Sequence, residues 1–241
     1  MAAPSATDLI AAWDPASRAP PHRRLSTLLA SCEGADAVAA DTLGMRNQRL
    51  LRLHRDLVGG ALEARVTCAH CATESEFELP AEAILAAPPP APDARVRVRY
   101  GGRTVTVRLP RIADIETLSA PDLRRAIIER CRTGTGGPVP ADLAKKLGRK
   151  FEALDPAANI VVNIACSGCT RPIAASVDLA RFVARDLDRV LDSLLRDLDV
   201  IASAYGWSEQ AILAMPPQRR RRYVAMIVAA RNPARPSLVR P

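Results

Sequence analysis

Two Cys-x-x-Cys steps, Cys68 to Cys71 and Cys166 to Cys169, lie far apart in a chain of 241 residues. The first sits in VTCAHCATESEFEL (66–79) and the second in IACSGCTRPIAASVDL (164–179). Both follow one plan: strand, cysteine turn, a few polar residues, strand, then helix. A turn of this spacing sets two thiols on one side, which half-fills a tetrahedral site, and two such turns complete a four-thiolate centre. Cys68, Cys71, Cys166 and Cys169 are therefore the expected ligands of one structural zinc ion. The gap between the pairs exceeds that of a compact zinc finger. The ribbon is thus expected to be split, with an insertion that leaves it and returns.

Four protein sulfurs leave no open position for water or substrate, so the metal is expected to act as a staple rather than a Lewis acid. Its binding contributes on the order of ten kcal/mol to folding at neutral pH. Two other readings compete. A redox Cys-x-x-Cys sits where a strand feeds a helix, whereas both pairs here lie between strands. Alternatively, the four cysteines pack without metal as small apolar side chains. His70, between two ligands, is awkwardly placed to join the set. Cys32 and Cys131 stand in helical patterns and read as buried small hydrophobes.

The expected class is α+β, mostly helical. Aromatics are only 3% of the chain, so a core must come from Leu, Val, Ile and Ala, which suits helix packing. Residues 1–20 are Ala/Pro/Ser-rich and read as a mobile N-terminus, with N-terminal helices over 21–60. The split ribbon takes 61–87 and 157–180. The insertion, 88–156, opens on a proline spacer and continues as RVRVRYGGRTVTVRLP, whose alternation about Gly101-Gly102 predicts a β-hairpin. Val96, Val98 and Tyr100 then share a face with Val105, Val107 and Leu109, the arginines facing water. Helices follow to Leu154. From Asp178 a helix of about 28 residues carries the apolar stripe Leu179, Val183, Leu187, Val190, Leu194, Leu198, Ile201 and Tyr205. The region 181–231 ends in a helical hairpin, with Ser208 as N-cap of a short helix, and 232–241 is a tail.

The net charge of +8 raises nucleic acid as a partner. Against this, almost all basic residues are Arg, a compositional bias that also describes plain solvated faces. No apolar run reaches the length of a membrane span, and no secretory leader is evident, so a cytoplasmic protein is expected. Nucleophile elbows and zinc-protease motifs are absent, TGTGGP lacks the ending of a phosphate loop, and the Asp residues of DLDRVLDSLLRDLD interleave with Arg189 and Arg196 as on an ordinary helix surface. The sequence reads as non-enzymatic. Arg219, Arg220, Arg221 and Arg222 point around the whole helix axis, so at least one must lie near the apolar side.

Three stretches, GMRNQRLLRLHRDLVGGALEARVTCAHCATESEFEL, IACSGCTRPIAASVDLARFV and AYGWSEQAILAMPPQRRRRYVAMI, cover about a third of the chain. In them the chain resembles proteins of contractile phage tails and phage-like injection systems, related to the T-even phage baseplate protein family. The resemblance implies a structural or assembly component of a baseplate, incorporated into the particle or acting on it. Its partners would be other baseplate or tail proteins, met through Tyr205, Trp207, Ile212, Tyr223 and Arg219 to Arg222. The competing reading is a zinc-ribbon protein that binds nucleic acid or acts as a regulator.

Overall fold

The computed structural model describes residues 4–91, 93–118, 121–134 and 137–231. The tail expected over 232–241 lies outside them. Helix predominates, and the chain is α+β.

Four helices open the chain: α1 (Ala6–Arg18), α2 (Arg24–Glu33), α3 (Ala35–Ala40) and α4 (Leu43–Leu57). The first corrects the expectation of a mobile N-terminus. Ser5 and Asp8 form a capping box, Ser5 accepting from the Asp8 N–H and Asp8 from the Ser5 N–H, both at 3.2 Å. Behind that cap, alanine is a strong helix former rather than a mark of mobility. Leu9, Ala12 and Ala16 of α1 are buried.

The first cysteine hairpin pairs β1 (Glu63–Thr67) with β2 (Glu74–Glu78), and α5 (Ala81–Ala86) follows. The insertion begins with β3 (Arg95–Tyr100) and β4 (Arg103–Arg108), turning through Gly101 and Gly102, both at positive φ as a two-residue hairpin requires. Val96 faces Val107 and Val98 faces Val105, as the alternation predicts. Then come α6 (Ile112–Glu116), α7 (Leu123–Cys131), the two-residue β5 (Arg132–Thr133) and α8 (Ala141–Leu154). β5 extends the hairpin to a three-stranded sheet ordered β3-β4-β5, too short a strand to leave a periodic signal.

A 3-10 turn, Pro156–Ala158, leads into the second cysteine hairpin, β6 (Ile160–Ala165) with β7 (Pro172–Val177). The long helix α9 (Leu179–Tyr205) ends at Gly206, which adopts the left-handed conformation. Its buried stripe holds Leu191 where Val190 was expected, and Tyr205 is exposed. The periodicity leaves neighbouring apolar positions indistinguishable at the stripe's edge. Last are α10 (Glu209–Leu213), capped by Ser208, and α11 (Pro217–Arg231).

Three apolar clusters organise the described residues. The first joins α1, α2, α4 and both cysteine hairpins to the start of α9. The second, Val96, Val98, Val107, Ile128, Cys131, Val139, Leu143, Ala144 and Leu147, is drawn wholly from the insertion. The third packs the second half of α9 against α10 and α11, with Ala6 and Ile10 of α1 beside it. Among the described residues no helix is long and apolar enough to cross a membrane.

Candidate metal centre

The two cysteine turns have the same backbone. In the first, Cys68 N–H donates to Thr73 O (3.0 Å) and Ala72 N–H to Cys68 O (2.9 Å). In the second, Cys166 N–H donates to Arg171 O (2.9 Å) and Thr170 N–H to Cys166 O (3.0 Å). The residue after each second cysteine, Ala72 and Thr170, has φ +58°, and these are the only non-glycine positive φ values among the described residues. A Cβ disfavours that conformation by about 1 to 2 kcal/mol. Its appearance at matching points of both turns shows that the tight fold around each cysteine pair dictates it.

The turns face each other. All four sulfurs lie within 4.8 Å of one another. Two close contacts cross between the hairpins: Cys68 Sγ to Cys169 Sγ at 3.8 Å and Cys71 Sγ to Cys166 Sγ at 3.5 Å. Both are far longer than the ~2.05 Å of a disulfide. They lie at, or a few tenths of an ångström inside, the ~3.8 Å edge of a tetrahedron with metal–sulfur bonds of ~2.3 Å. The four cysteines named from the sequence thus form a cluster able to hold one metal ion. Cys68 and Cys166 are buried, and Cys71 is exposed.

The two hairpins share no ladder hydrogen bonds, so side chains hold the turns together. Ser167 N–H donates to Ser75 Oγ at 3.0 Å, the two hydroxyls meet at 3.2 Å, and Ser167 Oγ donates to Glu74 O at 3.3 Å. Ser75 is buried. A Cβ on Gly168 would lie 2.5 Å from Thr73 Oγ1, so glycine there allows the close approach. None of Thr73, Ser75, Ser167 and Gly168 was singled out by sequence reading. The signal lay in the small residues within and beside the motif.

The thiols differ in acidity. Hydrogen bonds from the N–H groups of Cys169 and Gly168 lower Cys166 to about 6. The Thr73 side chain lowers Cys71. At Cys169 the Arg171 N–H pulls downward, but desolvation and the surrounding sulfurs outweigh it and push the thiol up to about 12. Four adjacent sulfurs cannot all carry charge without a cation among them.

The other cysteines play no part in the cluster. Cys131 is buried, as expected, and burial raises its thiol to about 12. Cys32 is exposed, which corrects its reading as a buried hydrophobe. It lies at the outer flank of α2, whose buried face is Leu25, Leu28 and Leu29.

The expected partner residues divide. Tyr205 stacks on Trp207 with ring centroids 4.8 Å apart, and Tyr223 meets both edge-on at 5.8 and 5.2 Å. The Arg219 guanidinium lies 5.8 Å over Tyr223, and Arg221 and Arg222 are exposed. Two residues are corrected. Ile212 is fully buried in the third cluster, since the capped turn of α10 directs it at α9. Arg220 is the inward member of the arginine run, 6% exposed, with Nη1 donating to Met215 O at 3.0 Å. It ties α11 to the preceding turn instead of facing outward.

Sequence reading also missed how α4 holds the insertion's two ends. Gln48 Nε2 donates to Ile84 O (2.9 Å) and Ala87 O (2.7 Å), at the exit. Asn47 Nδ2 donates to Ala157 O (2.9 Å) and Gly44 N–H to Asp155 Oδ2 (3.0 Å), at the return. A Cβ on Gly44 would lie 1.9 Å from Asp155 Oδ1. Adjacent amides on the apolar side of an amphipathic helix were the available sign.

No protein-family model, no curated protein and no solved structure matches the chain.

Proposed function

We propose that this protein is a non-enzymatic structural or assembly component of a contractile phage tail or phage-like injection system baseplate, held together by structural zinc. One observation carries the scaffold reading: four sulfurs from hairpins at opposite ends of an insertion converge on a space of single-ion size. Cys68, Cys71, Cys166 and Cys169 would hold the ion, and a four-thiolate set suits zinc while leaving no protein-free position for catalysis. The baseplate part rests on the three sequence stretches described above. The exposed rings of Tyr205 and Trp207, with half-buried Tyr223 and the Arg219 guanidinium beside them, support a protein-docking role for the C-terminal helices, because aromatic and arginine side chains dominate binding energy at interfaces.

The alternative, a ribbon that binds nucleic acid on its own strands, has weaker support. The first hairpin carries Glu63, Glu74, Glu76 and Glu78 against Arg65, and Arg171 is the lone basic residue of the second. Such strands repel phosphate.

Purification of the intact chain together with the neighbouring tail subunits tests the proposal. The expected result is about one zinc per chain and a complex that survives moderate salt, lost on Trp207→Ala with Tyr223→Ala while zinc is retained. A chain that binds no metal when thiols are kept reduced defeats the zinc assignment. A metal-replete chain that captures no tail subunit defeats the baseplate assignment.

A further inference from the structure

The positive charge of this protein is not spread evenly. Residues 88–156 hold fourteen Arg and Lys against eight Asp and Glu, a net +6 of the chain's +8, and include all three lysines. Within that insertion the three-stranded sheet has one face packed on its own apolar cluster and one face turned outward. The register assigns the outward face: Arg95 opposite Arg108, Arg97 opposite Thr106, Arg99 opposite Thr104, and Thr106 opposite Thr133. Every residue on it is an arginine or a threonine.

Arg95, Arg97 and Arg99 are exposed, and among the described residues the side chains of the three have no hydrogen-bond or ion-pair partner. Several other arginines of this protein meet carboxylates, as Arg108 does with Asp114, Arg24 with Asp188 and Arg65 with Glu76. Residues alternate in side along a strand, so the three guanidinium stems rise about 6.8 Å apart in a straight row. Three unneutralised cations in a row, flanked by hydroxyl donors, form a track for an extended polyanion.

We infer that the outward face of the β3-β4-β5 sheet, led by Arg95, Arg97 and Arg99, binds the phosphodiester backbone of duplex nucleic acid. The occupant follows from what the face contains and lacks. An acidic protein surface would need a desolvated apolar or aromatic centre to bind stably, and this face has none. A single strand is held largely by stacking of bases on aromatic rings, and again none is present. A phosphate backbone asks only for cations and hydroxyl or amide donors, the contacts that position a duplex without reading its sequence. The face shares no residue with the cysteine cluster or the aromatic stack, so its test needs neither the metal nor a protein partner. The competing explanation is that the charges guard β3, the open edge of the sheet, against pairing with another strand.

Fluorescence anisotropy of a labelled DNA duplex of about 20 base pairs, titrated with the full chain across a salt series, decides between these. Three phosphate contacts predict that this face contributes about −2.7 to the slope of log affinity against log salt, or about forty-fold between 50 and 200 mM. Arg95→Gln, Arg97→Gln and Arg99→Gln together are expected to remove that increment, while the Arg→Lys triple variant retains it. Lys145→Gln, Lys146→Gln and Lys150→Gln remove equal charge from the exposed side of α8 and are expected to leave most of the affinity. Should the Gln variant aggregate, the single Arg97→Glu variant with circular dichroism and gel filtration gives the same reading. The inference is overturned if wild type ignores duplex at low salt, or if the two triple Gln variants weaken binding equally. It also falls if poly-glutamate competes as well as duplex, or if the Arg variants aggregate while duplex affinity is unchanged.

Discussion

Ala72 and Thr170 carry, at single positions, the cost of bending the chain around a cysteine pair. Glycine accepts positive φ without that penalty but gives up more freedom on folding. The balance favours Ala72→Gly by about 0.5 to 1 kcal/mol, read as a higher urea midpoint at unchanged slope. Thr170→Gly is expected to gain less, because it forfeits the Thr170 hydroxyl bond to Cys169 O at 2.7 Å. Two aspartates pull stability in opposite directions with pH. Arg108 donates to both carboxylate oxygens of Asp114, at 2.5 and 2.8 Å, and holds its pKa below the ordinary range. A depressed folded pKa gives stability that is present above the unfolded value of about 3.9 and lost as pH falls through the folded one. Asp114→Asn is therefore expected to cost about 1.5 kcal/mol at pH 7, the deficit closing below about pH 4. Burial instead raises Asp155, so its native state gains stability as pH falls through that raised value. Asp155→Asn, which keeps an acceptor for Gly44 N–H, should match or exceed wild type at neutral pH, with wild type regaining ground in acid. Denaturant midpoints measured across pH check both signs.

Among the elements, α4 has the widest reach. One face carries Leu50, Leu51 and Leu53 into the main core, while Gly44, Asn47 and Gln48 grip the exit and return of the insertion. Replacing Gln48 by Leu leaves the carbonyls of Ile84 and Ala87 without that donor, and an unsatisfied buried acceptor costs about 1 to 3 kcal/mol. Because the insertion has a cluster of its own, the loss should appear locally. Amide hydrogen exchange is expected to quicken around 84–95 while the amides of α7 and α8 keep their protection. Global loss of protection would mean that the insertion has no independent core. The extent and cap of α9 and the turn of the β3-β4 hairpin were legible in the sequence because periodicity, capping residues and paired glycines are local signals. The helicity of α1 is not legible in its alanine and proline composition, because it starts from the Ser5 and Asp8 cap.

At the scale of the molecule, the cysteine cluster closes a loop of more than ninety residues, and the hairpins it joins share hydrogen bonds at Ser75 and Ser167 but no ladder. A metal that binds only the folded arrangement adds its binding free energy to stability. Stripping it with a strong chelator under reducing conditions is expected to lower the melting temperature and free the two hairpins, with restoration on adding zinc. Cys166→Ser should reproduce the loss without chelator. The insertion's own cluster should survive, so a second, smaller unfolding transition near the original temperature is the signature to seek in calorimetry.

Spacing alone named the four cysteines that cluster, since Cys-x-x-Cys between strands is a local geometric statement, and alternation alone placed Val96, Val98 and Val107 on one face. Tertiary structure decided which residues those elements meet. Ile212 and Arg220 turned inward, Asn47 and Gln48 became tethers, Cys32 was left outside, and Arg95, Arg97 and Arg99 of the insertion were left standing in a row on one open face. Local rules fix where a side chain points along its own element. What packs against that element depends on contacts between residues far apart in the chain, which periodicity and motif spacing do not encode.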